Sequence, residues 1–208
     1  MTKPLNHHPH LPASTPEKAV SRSLSARLKS AASFEQMRTA MQIPSDMWDA
    51  FLVTDGSGTL ADRTCGYAAV LIERNEVAPL VIAGSQSHGS VNTAELEAVI
   101  KALHYMVERE KGVKEHGYRV HVLSDSAYVV QGLNRNILKW LPTMKKNKML
   151  WLSIHGAVRS GLVIQGHHIP RDTLDLNKIC HNVANLARKQ ALRLRATCEQ
   201  FDLSDFAP

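Results

Sequence analysis

The sequence predicts an α/β domain in which a run of strands comes first and strand–helix alternation follows. Three observations predict it. Short apolar or alternating runs bounded by turn residues occur at 51–54, 66–72, 77–83, 119–123 and 162–165. Apolar residues recur at three- and four-residue spacing over 92–109, 147–158 and 175–198. No apolar run approaches the roughly 18–20 residues of a membrane span, so no membrane partner is expected.

Residues 1–16 (MTKPLNHHPHLPASTP) are rich in Pro, His and polar residues, lack periodicity, and read as a disordered tail. Residues 17–48 read as a basic helical extension. Val20, Leu24 and Leu28 recur every four residues, and Phe34, Met37 and Met41 continue the stripe beside Arg22, Arg27, Lys29 and Arg38. Pro44 ends this helix. Two roles stand open for it: an arm for nucleic acid or a protein partner, or an element packed on the main domain.

The main domain spans 49–200, with 201–208 as a C-terminal tail. Phe51 to Thr54 is a strand ending in the turn Asp55-Gly56-Ser57-Gly58. Gly66 to Ile72 and Val77 to Ala83 are strands joined by a hairpin turn at Glu73-Arg74-Asn75-Glu76. Asn92 to Arg109 carries Leu96, Val99, Ile100, Leu103 and Val107 on one helical face. Arg119 to Leu123 is a fourth strand, and Ser126 caps a helix reaching Leu133. A helix over 147–158, a strand over 162–165 and a closing helix from Asp175 follow, the last with Ile179, Val183, Leu186 and Ala187 inward. The order is β-β-β-α-β-α-α-β-α, with no internal repeat.

The net charge of +6 and a pI near 9.3 favour a polyanionic partner such as nucleic acid. Cys65, Cys180 and Cys198 are widely spaced and form no CxxC pair, which predicts reduced thiols in a cytoplasmic setting.

Three acids hold related positions. Asp55 ends the first apolar run, Asp125 ends the fourth strand, and Glu95 sits in the opening turn of a helix. Singly, each has a structural role: turn, helix entry, or a charge complementing the helix dipole. Together they form a set of hard oxygen ligands from separate elements, suited to Mg²⁺ or Mn²⁺. Two such ions roughly 3.5–4 Å apart activate water and stabilise charge in phosphodiester hydrolysis.

Residues from about 50 to 190 resemble the type 1 ribonuclease H family. The matching pieces are Asp55-Gly56-Ser57 with Gly66, Asn92-Thr93-Ala94-Glu95 with Ala98 and Leu103, and Ser124-Asp125-Ser126-Ala127-Tyr128-Val129-Val130. Trp151, Gly166-His167 and Asn177 continue the order. The resemblance implies a mixed five-stranded sheet with helices on both faces. It also implies endonucleolytic cleavage of the RNA strand of RNA–DNA hybrids with two Mg²⁺ or Mn²⁺ ions. It makes Asp55, Glu95 and Asp125 metal ligands and His167 a proton-transfer or product-release residue, with His168 beside it as the competing choice. Ser90 and Asn92 fall in the region that contacts the minor groove, where the 2′-hydroxyl marks RNA.

The family's fourth acid follows a helix-opening Asn by four residues. Asn177-Lys178-Ile179-Cys180-His181 fits that pattern with His181 replacing the acid. Either His181 ligates a second metal and favours Mn²⁺, or the second metal is lost and the protein binds without cutting. The stretch from Asn134 to Lys148 resembles the basic protrusion of bacterial members, with Lys139, Trp140, Lys145, Lys146 and Lys148 as nucleic-acid contacts. Ala127 stands where the family often has Gln. His181 and Ala127 together leave room for a nuclease on another structured nucleic acid, and a third reading is a non-cleaving nucleic-acid-binding or assembly protein that recruits a partner through residues 17–48.

Overall fold

A computed structural model describes residues 27–44, 48–59, 61, 63–109, 117–135, 137–143, 146–171 and 173–200. For 137, 138, 141 and 194–200 the description stops at the backbone. The predicted tails 1–16 and 201–208, the extension's residues 17–26 with Val20 and Leu24, and Lys145 lie outside the described residues.

Five strands form one mixed sheet: β1 (Ala50–Gly58), β2 (Cys65–Glu73), β3 (Leu80–Gln86), β4 (Tyr118–Ser124) and β5 (Leu162–His168), in the order β3-β2-β1-β4-β5. The first three pair antiparallel; β4 pairs parallel to both β1 and β5. The helices are α1 (Phe34–Met41), α2 (Val91–Arg109), α3 (Ala127–Asn134), α4 (Ile137–Trp140), α5 (Lys148–Arg159) and α6 (Asp175–Gln200). A 3₁₀ turn at Leu141–Thr143 follows α4.

Alternation along the strands divides the core in two. Ala50 and Leu52 face a layer built from Leu96, Leu103, Met106 and Trp151. Phe51 and Val53 face the opposite layer, with Phe34, Met37, Leu174, Cys180 and Ala184. Helices therefore cover both faces. Tyr128 Oη accepts hydrogen bonds from Trp151 Nε1 at 2.9 Å and Asn147 Nδ2 at 3.2 Å, joining α3 to the start of α5.

The described part of the extension belongs to this core. Leu28, Ala31, Phe34, Met37 and Ala40 are buried, and the Phe34 ring lies 5.1 Å from Phe51. Ser33 and Gln36 close a reciprocal capping box on α1, and Gln42 ends it in the left-handed conformation. The Asp175 amide, at the start of α6, donates to the Lys29 carbonyl at 2.9 Å. Of the two roles for the extension, packing on the domain is the one these residues perform.

Several boundaries differ from the sequence expectation. β1 runs through Asp55-Gly56-Ser57-Gly58, because these residues pair with β2 from Ala68 to Cys65. β3 starts at Leu80, and Val77 is fully exposed in the connection. On α6 the inward face is Leu176, Cys180 and Ala184, whereas Ile179 is 45% and Leu186 56% exposed. Gly66 explains this phase: a Cβ there would lie 2.1 Å from the Ala184 carbonyl oxygen, so α6 touches β2 backbone to backbone.

Met37 is fully buried between α1 and the sheet. Met37→Ala should therefore destabilise the chain by about 2–5 kcal/mol, the usual cost of such a core truncation. Equilibrium denaturation checks this; a loss under about 0.5 kcal/mol, the scale of surface substitutions, would mean that the extension is not part of the cooperative unit.

Candidate active site

Parallel pairing of β1 with β4 puts Thr54 level with Ser124, so Asp55 and Asp125 follow at the same end of neighbouring strands. Ser126 ends β4's path by capping α3, its side chain accepting from Val129 N–H at 3.4 Å. Glu95 arrives from α2, one turn beyond the cap made by Ser90 Oγ on Thr93 N–H. α2 comes this close because position 56 is glycine: a Cβ there would lie 2.5 Å from Glu95 N.

Asp55, Glu95 and Asp125 can each offer an oxygen within 4.8 Å of the others. Asp55 is fully buried, Glu95 nearly so, and Asp125 largely covered. Burial raises the Asp55 carboxyl to about 6; Asp125 adds to this and His181 opposes it. Burial, then the charges of Asp55 and Asp125, push Glu95 up to about 9. Asp55 Oδ1 and Glu95 Oε2 are buried with no hydrogen-bond partner among the described residues. Unpaired buried carboxylate oxygens are costly, and a hard divalent cation is the partner this donor set fits.

A pocket of about 280 Å³ opens beside Asp55, lined also by Arg171, Asn177, Lys178, His181 and Asn182. Arg171 Nε donates to Asp125 Oδ2 at 3.2 Å. His181 Nδ1 lies 3.1 Å from Asp55 Oδ2, and His181 Nε2 lies 2.9 Å from Asn185 Nδ2. His181 is thus beside the cluster, bonded to one of its acids.

A family model described as RNase H matches residues 49–170. The chain belongs to the RNase H family. Ribonuclease H of Neorickettsia sennetsu (strain ATCC VR-367 / Miyayama) is 33% identical over 120 residues, covering 53% of this chain and 73% of that protein. Among solved structures, the N-terminal RNase H domain of a Mycobacterium tuberculosis protein, fused to maltose-binding protein, aligns with a TM-score of 0.54 at 21% identity. That alignment covers 70% of this chain and 97% of the other. LC11-RNase H1 in complex with an RNA/DNA hybrid aligns with a TM-score of 0.53 at 22% identity, covering 69% and 99%. These two likenesses establish the fold; family membership makes the chain a ribonuclease H-type hydrolase.

Against the RNase H expectations, two residues change place. His167 lies level with Leu123 on the sheet face that also carries Asp55, and its Nε2 meets His121 Nδ1 at 2.5 Å within a stack that includes Trp48 and Phe51. Burial lowers its pKa. His168 is exposed, with Nε2 3.1 Å from the Asp125 backbone carbonyl oxygen. Trp140 packs edge-on at 5.1 Å against the fully buried Trp151, so this ring joins the core and is not a free stacking platform. Lys139, Lys146 and Lys148 are exposed, as is Asn92 in the first turn of α2.

Sequence reading missed Arg171 and Asn185. Asn185 had a signal, since it stands four residues after His181 on one helical face. Arg171 sits in the connection from β5 to α6, where no periodicity applies.

The Glu95 shift carries a sign. Its folded pKa, about 9, exceeds the value of 4.5 for a free carboxyl. The folded chain therefore holds an extra proton across that window, and metal-free stability falls as pH rises through it. Glu95→Gln should melt higher than the parent at pH 8 without divalent metal, with the gain shrinking towards pH 4.5. An equal difference at both pH values in thermal melts would contradict the assignment.

Proposed function

We propose that this protein is a divalent-metal-dependent endonuclease that hydrolyses the RNA strand of RNA–DNA hybrids. The observation that carries the reading is the buried Asp55–Glu95–Asp125 cluster, with two carboxylate oxygens left unpartnered, one on β1 and one near the start of α2. Its RNase H membership and the hybrid bound to LC11-RNase H1 support the substrate class.

Mg²⁺ or Mn²⁺ held by these acids supplies charge neutralisation at the phosphoryl group and a water of lowered pKa. The chain's own residues do the rest. Asp55, Glu95 and Asp125 hold their oxygens in one place without reorganisation, since strands and a helix fix them. Arg171 and Lys178 put positive charge on the rim of the pocket, where a nucleic-acid phosphate would sit. His168, whose Nε2 lies at the Asp125 backbone carbonyl, is the candidate for moving a proton to or from a reacting oxygen. Asn92, with Ser90 capping beneath it, reaches towards the minor-groove side, and Lys139, Lys146 and Lys148 grip the phosphate backbone.

Asp125→Asn should lower Mg²⁺-supported cleavage of a labelled RNA–DNA hybrid by more than about a hundredfold, beyond the range typical of residues outside the ligand set. Parallel reactions on double-stranded RNA and DNA test the substrate class; equal cleavage of either would sink hybrid specificity.

Replacing Lys139, Lys146 and Lys148 together by Gln should weaken hybrid binding at low salt. It should also flatten the log–log salt slope by about 2–3, given about 0.9 per phosphate contact. A titration with unchanged slope would remove this segment from the interface.

A further inference from the structure

His181 occupies the place of the family's fourth acid, but its surroundings give it different work. It belongs to a chain of hydrogen bonds that runs Ser57 Oγ to Asn185 Oδ1 at 2.5 Å, Asn185 Nδ2 to His181 Nε2 at 2.9 Å, and His181 Nδ1 to Asp55 Oδ2 at 3.1 Å.

With the amide in that orientation, Nε2 is an acceptor, so Nδ1 bears the proton and donates to Asp55. Turning the amide over makes Nε2 the donor to Asn185 and Ser57 an acceptor. Nδ1 then either carries a second proton for Asp55 or accepts one from a protonated Asp55. In each of these arrangements both ring nitrogens are engaged by side chains, Nδ1 by Asp55 and Nε2 by Asn185.

The remainder of the geometry agrees. The bond from His181 takes Asp55 Oδ2, while Oδ1 stays buried and unpartnered, available to an ion. His181 and Asn185 stand one turn apart on α6, between positions that touch the sheet. Ala184 between them is held against Gly66 backbone to backbone, so this stretch of α6 has little freedom to slide. On the His181 side of Asp55 the pocket offers Arg171, Lys178 and two amides, with no further carboxylate among the described residues.

We propose that His181 is a positioning residue and not a metal ligand, and that Ser57, Asn185 and His181 form a clamp that turns the Asp55 carboxylate towards the Asp55–Glu95–Asp125 cluster. This rests on reading that cluster as a metal centre.

Electron paramagnetic resonance of Mn²⁺ added to the full chain without nucleic acid tests it. Echo-modulation spectra at one equivalent and at saturation should lack the signature of directly coordinated imidazole nitrogen. His181→Ala and Asn185→Leu should each weaken Mn²⁺ binding about tenfold, the scale seen when a ligand's orienting partner is lost. His181→Asn, which returns an N–H donor near the Nδ1 position, should recover most of that loss. A coordinated-nitrogen signal that disappears in His181→Ala would overturn the proposal, as would Asn185→Leu with unchanged affinity. Failure of the metal-centre reading looks different: Asp55→Asn would then bind Mn²⁺ as well as the parent.

Discussion

Three carboxyl groups with oxygens held within 4.8 Å of each other, two of them on buried side chains, are the constraint around which this end of the molecule is built. Such a cluster opposes folding: burial and mutual repulsion both favour the protonated forms of Asp55 and Glu95. It persists because its supports are backbone contacts that side-chain motion cannot relieve. Parallel pairing sets Asp55 beside Asp125, and Gly56 admits the backbone of α2 at Glu95. Gly66 admits the backbone of α6 beneath the clamp residues. On the proposed reading, a cation held by these acids would relieve that strain, so the arrangement that weakens the metal-free fold would favour metal.

The parts of this site that were legible in the sequence are those whose local signals and tertiary roles agree. Asp125 is the clearest case: the apolar alternation of β4 stops there, and Ser126 supplies a helix cap at once. Asp55 was legible as chemistry but not as structure. Asp-Gly-Ser-Gly carries turn signals, yet pairing with β2 and the need for small residues under α2 and α6 override them. The choice between His167 and His168 turned on register. Neighbouring residues on a strand face opposite ways, and β5 extends three residues beyond its apolar stretch. The alignment of Leu123 with His167 puts that ring on the face of Asp55, where it pairs with His121, while His168 reaches the Asp125 backbone carbonyl. The inward face of α6 was hidden for a related reason: Ile179 and Leu186 make a plausible stripe, but close approach at Gly66 selects the smaller Cys180 and Ala184.

The basic segment after α3 divides its work between core and surface. Trp140 closes against Trp151, and that contact anchors a stretch whose lysines point outward. In the proposed interface these exposed lysines would meet phosphates, contacts that carry no base information. On that reading a preference for RNA would come from the minor-groove side, around Asn92 and the exposed Ala127, whose methyl group offers no polar contact.

The family match begins at residue 49, yet the core begins at Leu28. Leu28, Phe34 and Met37 fill the layer beneath β1 on the face where α6 also packs. The Lys29 carbonyl accepts the first amide of α6, and six residues later that helix delivers His181 to Asp55. The extension is therefore mechanically upstream of the site. It supports β1, which carries Asp55, and it satisfies an amide at the start of α6, which carries the clamp. The described part of the extension thus bears on the proposed site through the placement of β1 and of the start of α6.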